Sequence, residues 1–447
     1  MIKIYDTMTR SLRDFVPLTE NVVNMYVCGP TVYNYIHIGN ARSAVAFDTI
    51  RRYFEYCGYT VNYISNFTDV DDKIIKAANE AGISTKELSD KFIAAFMEDT
   101  AQLGIKPATQ NPRVINYMDE IIAFVSTLVD KGFAYVSEGD VYFRVAKSNN
   151  YAKLANKTLE DLEIGASGRT DAETERKENP LDFALWKAAK EGEVSWDSPW
   201  GLGRPGWHIE CSVMATEILG DTIDIHGGGA DLEFPHHTNE IAQSEAKTGK
   251  TFANYWMHNG FVNVDNEKMS KSLGNFVTVH DMLKTVDGQV LRFFLATQQY
   301  RKPINFTEKA IHDAEVNLKY LKNTHSLPLT DQVNQDELQT YLEAFQEAMD
   351  DDFNTANGVT VLFDMAKWIN SGNYDQTVKD AFEKMIQVFG IVFEEEVLDE
   401  DIEKLIEERQ AARANKDFAT ADRIRDELAA QGIKLLDTKE GVRWTRD

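Results

Sequence analysis

Residues 24–68 read NMYVCGPTVYNYIHIGNARSAVAFDTIRRYFEYCGYTVNYISNFT. The first seven residues predict a strand that ends in a Gly-Pro turn. Apolar residues recur at helical spacing over 41–58, and 59–68 is rich in the aromatic and β-branched residues typical of strands. This order predicts a βαβ unit of a parallel sheet, which binds ligands beyond the carboxyl ends of its strands. Cys28 and Thr68 lie at two such ends.

The rest of the chain extends this α/β pattern. GDTIDIHGGG (220–229) and FPHHTNEIAQSEAKTG (234–249) predict a strand and a helix in the second half of the same sheet. Helical patterns dominate from residue 310, and the last stretch predicts two helices and a hairpin. We therefore expect an α/β fold with a Rossmann-type parallel-sheet domain that contains an insertion, then a helical bundle and a small mixed α/β C-terminal module. The predicted limits are 1–120 and 206–250 for the two halves of the sheet domain, 121–205 for the insertion, 251–315 for a region with a polar loop, 316–400 for the bundle and 401–447 for the module.

The composition is that of a globular protein with several domains. The 447 residues are 43% hydrophobic and 27% charged. No apolar run approaches the roughly 18 to 20 residues of a membrane span, and the N-terminus lacks the pattern of a signal peptide. We therefore expect a cytoplasmic protein with no membrane partner. Three cysteines cannot form a disulfide framework in so long a chain, so any special role for them is metal binding or catalysis.

Histidines crowd one part of the sequence: six of the nine fall between residues 208 and 280, near Cys211. His236 and Glu240 are four residues apart on a predicted helix, so both can reach one ion. Cys28 could complete a Cys, Cys, His, Glu set of the kind that suits zinc. The spacing leaves a second interpretation open, in which both cysteines are small buried hydrophobic residues and His236 is a polar residue at a helix entry.

The segment YIHIGNARSAVAF places His37, Gly39 and Asn40 at the start of the predicted helix. A helix N-terminus presents unpaired N–H groups and a partial positive charge, which suit a triphosphate. Glycine lets a ligand approach the backbone closely, and the His and Asn side chains can donate hydrogen bonds to phosphate oxygens. An ordinary capped helix is the alternative interpretation.

Two further segments have residues suited to a nucleotide. DNEKMSKSLGNF contains Lys268, Ser270 and Lys271, and two mobile ammonium groups can close over a pyrophosphate and stabilise developing charge. Gly229 and Asp231 follow a predicted strand and suit a ribose hydroxyl bound by a carboxylate. In isolation, the first segment also fits a solvated loop and the second fits a turn.

Four segments follow one another along the chain: CGPTVYNYIHIGNAR, GRPGWHIECS, HGGGADLEFPHHTNE and KMSKSLGN. Together they resemble the cysteinyl-tRNA synthetases, a family of class I aminoacyl-tRNA synthetases, over essentially the whole chain. The HIGN segment stands where class I enzymes generally have His-Ile-Gly-His, and Asn at this position is familiar within the family. The KMSKS segment is complete.

The resemblance implies an aminoacyl-tRNA ligase that activates L-cysteine with ATP and transfers it to the 3′ end of tRNA(Cys). The implied cofactors are one Zn²⁺ per chain and Mg²⁺ with the substrate ATP, and family members are usually monomers. By position, the implied residues are His37, Asn40, Lys268 and Lys271 for catalysis, the same four with Gly39, Gly229, Asp231 and Ser270 for ATP, Gly29, Thr68 and Trp207 for cysteine, and Cys28, Cys211, His236 and Glu240 for zinc.

Zinc would give such an enzyme a physical means of selecting cysteine. Apolar contacts separate substrates that differ by one small group by only about 1 to 3 kcal/mol. Zinc can bond the substrate thiolate directly and prefers sulfur to a hydroxyl oxygen. The resemblance therefore implies a metal that selects the substrate, and no editing domain is required.

Residues 401–447 resemble the anticodon-binding domain of the family, although a helical pair with solvated charges is the plainer interpretation. The tRNA contacts implied there are Arg413, Phe418, Asp422, Asp437 and Trp444. Two rival functions remain. A cysteine ligase of the mycothiol pathway would share the catalytic segments but lack this tail, and a non-catalytic RNA-binding paralogue is disfavoured by the intact HIGN and KMSKS segments.

Taken over the whole chain, the formal net charge of −25 argues against an RNA partner. The acidic residues are concentrated, however, in residues 331–400, which contain 3 Lys or Arg and 17 Asp or Glu. Residues 250–310 contain 8 basic and 5 acidic residues, and residues 401–447 contain 10 and 11. We therefore expect RNA to bind through local patches in the two less acidic segments, with a marked salt dependence.

Overall fold

The predicted strand, helix and strand over 24–68 are confirmed. The computed structural model describes residues 1–166, 174–270, 272–394, 400–438 and 441–446, in two units, Met1–Val392 and Phe393–Asp447. The larger unit begins with β1 (Lys3–Asp6), β2 (Ser11–Asp14), β3 (Val22–Val27), α1 (Ile38–Tyr56), β4 (Thr60–Ser65), α2 (Asp72–Ala81) and α3 (Thr85–Gln102).

The next segment contains the insertion and the second half of the sheet. Its elements are α4 (Met118–Asp130), β5 (Ala134–Ser137), β6 (Asp140–Phe143), α5 (Leu159–Ala166), β7 (Phe183–Ala188), β8 (Gly203–Pro205), α6 (Trp207–Leu219), β9 (Ile223–Gly229), α7 (Thr238–Thr248) and β10 (Ala253–Asn259). Strands β5 to β8 pair in chain order as an antiparallel sheet, and all four lie within the predicted insertion.

The central sheet is parallel and has the strand order β10-β9-β3-β4. Tyr26 on β3 is paired with His226 on β9, and Met25 is paired with Tyr63 on β4, so these strands end at one edge of the sheet. Strand β9 is buried at every position before Gly229, as expected for a parallel strand covered on both faces. The sheet extends beyond residue 250, where we predicted its second half to end, because β10 is an equally buried strand.

Helix α7 begins later than predicted. The sequence pattern suggested a helix over 234–249, whereas α7 starts at Thr238 and is preceded by a wide turn, Glu233–His237. Phe234 in this turn has extended backbone angles and is joined to Pro235 by a cis peptide bond. The extended residue interrupts the helical backbone, so the regular helix starts after it.

The remaining elements of the larger unit support a polar loop and form a helical bundle. They are β11 (Val262–Val264), β12 (Glu267–Lys268), α8 (Val279–Met282), α9 (Gly288–Ala296), β13 (Ile304–Phe306), α10 (Glu308–His325), α11 (Gln335–Asp350), α12 (Thr355–Asn370) and α13 (Gln376–Val388). Strand β11 pairs with β12 on one side and β13 on the other.

The smaller unit has the predicted order of two helices and a hairpin. Its elements are α14 (Glu400–Ala414), α15 (Phe418–Ala430), β14 (Ile433–Thr438) and β15 (Gly441–Arg446). Ile402, Ile424, Leu428 and Ile433 form its small apolar core. Across both units, no helix within the described ranges combines the length and apolarity needed to cross a membrane.

Candidate functional site

A cavity of about 640 Å³ opens at the carboxyl ends of β3 and β9. Ten of the predicted site residues line it: Cys28, Gly29, His37, Gly39, Asn40, Trp207, Gly229, Asp231, Lys268 and Ser270. Four others, Thr68, Cys211, His236 and Glu240, are each at most 1% exposed and are packed into the protein interior. Lys271 lies outside the described residues.

The four predicted metal ligands converge on one point. Their donor atoms all lie within 4.8 Å of one another. The Sγ atom of Cys28 is 3.6 Å from Sγ of Cys211, 3.5 Å from Nε2 of His236 and 3.3 Å from Oε1 of Glu240. His236 Nε2 is 2.9 Å from Glu240 Oε1, which is the contact expected from their four-residue spacing.

The electrostatics of this cluster favour ionised ligands at two positions. Burial raises the pKa of Glu240, but the charge interactions and hydrogen bonds with His226 and His236 have the larger effect and lower the pKa to about 2. Burial also opposes ionisation of Cys211, yet the hydrogen bond from Cys28 and the proximity of His236 lower the pKa of its thiol to about 6. A carboxylate and a thiolate are the forms that bind a divalent cation.

A second layer of histidines surrounds the cluster. His208 Nδ1 lies 3.0 Å from His236 Nδ1, and His226 Nε2 lies 2.6 Å from Glu240 Oε2. His237 Nε2 lies 3.4 Å from Cys28 Sγ, and its Nδ1 atom lies 2.8 Å from His258 Nε2. These hydrogen-bond partners orient ligands in the way that outer-layer residues do in metal sites.

Only part of this layer could be predicted from the sequence. The crowding of histidines between 208 and 280 pointed to it, but spacing could not assign each ring a partner. Cys28, His226, His237 and Glu240 form a second group with donor atoms within 4.8 Å of one another. His237 is fully buried within this layer.

The amino end of α1 is organised by a reciprocal cap. The backbone N–H of Asn40 donates to Nδ1 of His37 (3.2 Å), and the backbone N–H of His37 donates to Oδ1 of Asn40 (3.1 Å). In the neutral imidazole this acceptor role of Nδ1 leaves the proton on Nε2, and the amide Nδ2 of Asn40 keeps its donor function. The capped-helix interpretation and the phosphate-binding interpretation are therefore compatible.

A side chain at Gly39 or Gly229 would displace the side chain of a neighbouring residue that lines the cavity. A Cβ atom on Gly39 would lie 2.8 Å from Cε1 of His37. On Gly229 it would lie 2.4 Å from Oδ1 of Asp231. The absence of a Cβ thus lets the His37 ring and the Asp231 carboxylate lie against the backbone at the cavity wall.

The residues predicted to bind the substrate cysteine differ in their access to the cavity. Trp207 is 40% exposed and stacks on the metal-type ligand His236, with ring centroids 4.1 Å apart. The N–H of Gly29 donates to Oδ1 of Asn66 (2.9 Å), whose Nδ2 atom donates to the hydroxyl of Thr68 (3.2 Å). Thr68 therefore supports the cavity wall through Asn66, a residue that the sequence analysis did not single out.

The described residues of the KMSKS segment are hydrogen-bonded to Asn275, a few residues further along the chain. The backbone N–H of Ser270 donates to Oδ1 of Asn275 (2.8 Å), and Asn275 Nδ2 donates to the carbonyl oxygen of Lys268 (3.3 Å). The ammonium group of Lys268 lies 5.9 Å from the ring centroid of Phe261. This arrangement keeps a cation at the rim of the cavity without burying it.

The predicted tRNA-contact residues of the smaller unit differ in their exposure and in the partners that they contact. Asp437 accepts two hydrogen bonds from Arg409 (2.9 Å each) and one ion-pair contact from Arg413 (2.6 Å). Phe418 is 61% exposed at the start of α15. Asp422 is ion-paired with Arg425, and Trp444 is partly buried against the apolar core.

Comparisons with known proteins agree over the full length. The family model for the class I (C) tRNA synthetase catalytic domain matches residues 14–316, a DALR domain matches 344–394, and a cysteinyl-tRNA ligase anticodon binding domain matches 395–444. A cysteine–tRNA ligase of Streptococcus thermophilus (strain CNRZ 1066) is 95% identical over 447 residues, covering 100% of both chains. Its counterpart in Streptococcus agalactiae serotype III (strain NEM316) is 82% identical over the same length.

Solved structures share the fold. A methionyl-tRNA synthetase of Mycobacterium tuberculosis in complex with methionyl-adenylate superposes with a TM-score of 0.59 at 15% identity, covering 82% of this chain and 89% of that one. A putative arginyl-tRNA synthetase of Campylobacter jejuni gives 0.54 at 15% identity, covering 84% and 94%. At such identities the likeness shows the class I synthetase fold alone. Together with the family models and the full-length relatives, it establishes that this chain belongs to the cysteinyl-tRNA synthetase family.

Proposed function

We propose that the protein activates L-cysteine with ATP and transfers the cysteinyl group to the 3′ end of tRNA(Cys). One observation carries the proposal: a single cavity is lined by Cys28 of the metal-type cluster, by the amino end of α1 and by Lys268. A site for a thiol-bearing amino acid therefore adjoins a site for a triphosphate. The full-length identity to cysteine–tRNA ligases supports the same activity.

In the activation step, a cysteine carboxylate oxygen forms a bond to the α-phosphorus of ATP, and the bond from that phosphorus to the oxygen leading to the β-phosphate breaks. Pyrophosphate carries the leaving electron pair, and Mg²⁺ enters with ATP as part of the substrate. His37 Nε2, the Asn40 amide and the N–H groups of α1 donate to phosphate oxygens as negative charge develops. Lys268 and Lys271 stabilise the leaving group.

We propose that Cys28, Cys211, His236 and Glu240 hold one Zn²⁺ per chain. Two thiols, an imidazole and a carboxylate are a donor set that suits zinc, and the S···S separation of 3.6 Å lets both sulfurs share one ion. When bound, zinc favours a substrate thiolate over a hydroxyl or methyl group. Cys28 lines the cavity, so the cluster is accessible from the side where the amino acid would bind.

We propose that Gly29 and Trp207 bind the cysteine moiety and that Gly229, Asp231 and Ser270 bind ATP. Thr68 acts through Asn66. Arg413, Phe418, Asp422, Asp437 and Trp444 are proposed to contact the tRNA anticodon, and the predicted domain limits other than the one at residue 250 remain a prediction. A cytoplasmic monomer is proposed as well, and size-exclusion chromatography with light scattering would measure its mass.

Pyrophosphate exchange with each standard amino acid, followed by acylation of tRNA(Cys), tests this function. We expect exchange with cysteine far above that with serine, alanine or valine, and charging of tRNA(Cys). Exchange with cysteine but no tRNA charging would indicate a ligase that acts on a small amine. Absence of exchange with any amino acid would indicate a non-catalytic RNA-binding protein.

A further inference from the structure

Residues 277–279, which end the loop that begins with the KMSKS segment, are hydrogen-bonded through the backbone to residues 36–38 at the HIGN segment. The N–H of Ile38 donates to the carbonyl oxygen of Val277 (3.2 Å), and the N–H of Val279 donates to that of Ile36 (2.9 Å). His37 and Thr278 face each other in this short antiparallel pairing. The backbone that carries His37 is therefore bonded to the chain that leaves the loop.

Side chains next to this pairing reinforce it. The ring of His280, in α8, stacks on Tyr35 with centroids 4.2 Å apart and planes at 13°. His280 Nδ1 lies 3.1 Å from Oδ1 of Asp99 on α3. Phe92, seven residues before Asp99 on the same helix face, meets the Tyr35 ring edge-on at 5.2 Å. The stack is thus held between α3 and the two catalytic segments.

Asp99 is built into the protein interior, whereas His280 is not. The Asp99 side chain is 2% exposed and that of His280 is 32% exposed. Removal of His280 would leave a buried carboxylate without this partner, which is more costly than the loss of a surface contact. The contact therefore fixes α8 against α3 more firmly than an exposed ion pair would.

The other end of the KMSKS loop is tied through β12, where Lys268 pairs with Asn263 of β11. Between the two ends, the loop is shaped by its own hydrogen bonds from Ser270 and Asn275. Its internal shape and its position are consequently set by different groups. The position of its carboxyl-terminal end depends on what holds residues 277–280 in place.

We propose that Tyr35, Asp99 and His280 form a clasp that holds residues 277–279 against the HIGN segment and so positions His37 and the described residues of the KMSKS segment for the departure of pyrophosphate during ATP activation. His280 acts as a positioning residue through the backbone of residues 277–279. The inference rests on the proposed function. The clasp matters for the step that uses Lys268 and not for transfer of cysteine from a finished adenylate to tRNA, because pyrophosphate has left by then.

The test uses the full chain and four variants. In His280→Ala, we expect kcat for cysteine-dependent pyrophosphate exchange to fall about tenfold to a hundredfold, as small displacements of catalytic groups do. The KM for cysteine should stay within about twofold, since the amino acid site is not displaced. His280→Arg should recover most of the loss, because guanidinium can donate to Asp99 and stack on Tyr35. Asp99→Asn should give an intermediate loss.

His312→Ala is the matched control, because the His312 side chain is 72% exposed on α10, in another part of the fold. It should leave exchange unchanged. The second readout is single-turnover transfer from preformed enzyme-bound cysteinyl adenylate to tRNA(Cys), which should be equal in all variants.

Unchanged exchange in His280→Ala, or an equal loss of exchange and transfer, would overturn the clasp. If His280→Ala does not fold, the same outcomes in Asp99→Asn decide the question. Failure of the unaltered protein to catalyse exchange would instead overturn the proposed function.

Discussion

The metal-type cluster and the KMSKS loop lie at the same cavity but are built in opposite ways. Cys211, His236 and Glu240 are at most 1% exposed, and histidines in a second layer hold two of them. The loop exposes its Lys268 and leaves Leu273 61% exposed. A group that selects the substrate must be in place before the substrate arrives, whereas a group that stabilises developing charge can close afterwards. In the proposed function, the buried cluster selects the substrate and the exposed loop stabilises the developing charge.

The largest expected effect comes from removing one proposed ligand of the buried metal-type cluster. Cys211→Ser should lose bound zinc and cysteine-dependent exchange together, with a fall of about a thousandfold or more, because a metal ligand is removed and hydroxyl is a poor substitute for thiolate. Zinc content by mass spectrometry and exchange rate are the measurements. Cys57→Ser is the matched control, since Cys57 lies at the end of α1. A Cys211→Ser protein that activates cysteine normally would contradict the assignment.

Removal of a charge from the exposed loop should slow cysteine activation without changing which amino acid is selected. Lys268→Ala should lower kcat for exchange by about a hundredfold to a thousandfold, the usual cost of removing one charge-stabilising group. Zinc content and the preference for cysteine over serine should not change. Lys309→Ala, at an 83% exposed side chain of α10, is the control. A shift in amino acid preference in Lys268→Ala would contradict the claim that the buried cluster, and not the loop, selects the amino acid.

A milder change to the buried metal-type cluster acts through the second layer of histidines around it. His208→Ala removes the partner of His236 Nδ1 and should weaken zinc binding by about tenfold to a hundredfold. Competition with a chromophoric chelator measures this affinity. The KM for cysteine should rise with the loss of metal and return when zinc is supplied in excess. Unaltered zinc affinity would show that His208 only fills space.

The smallest effect on activation is expected from the separate C-terminal module. Arg409→Ala removes the two hydrogen bonds that orient Asp437, so KM for tRNA(Cys) should rise about tenfold, equivalent to about 1.4 kcal/mol. Pyrophosphate exchange without tRNA should not change. Arg423→Ala, 67% exposed on α15, is the control. A fall in tRNA-independent exchange in Arg409→Ala would contradict a role confined to tRNA binding.

Much of this architecture follows from local sequence patterns. The βαβ unit over 24–68, the strand ending at Gly229 and the C-terminal hairpin all have clear periodicity and turn residues, and the structure confirms them. The delayed start of α7 was missed, because the extended conformation of Phe234 has no reliable sequence signal. The limit of the sheet at residue 250 was placed too early, because a short buried strand such as β10 lacks the alternation of a half-buried one.

The site could be predicted only in part for a different physical reason. Cys28 and Cys211 are 183 residues apart, and spacing alone favoured neither a metal site nor a pair of buried thiols. The resemblance to a family supplied the ligand set, and the fold brings the four donor atoms together. Partners such as Asn66, His208 and His258 could not be assigned, since a long-range hydrogen bond leaves no periodic trace in the sequence.

The central claim is that the buried cluster selects cysteine by holding zinc. Its most direct test is cysteine- and serine-dependent pyrophosphate exchange by the full chain after removal of metal with a chelator and after return of stoichiometric zinc. The account predicts that cysteine-dependent exchange disappears with the metal, returns with zinc and remains far above that with serine. Metal-free protein that retains cysteine-dependent exchange would contradict it.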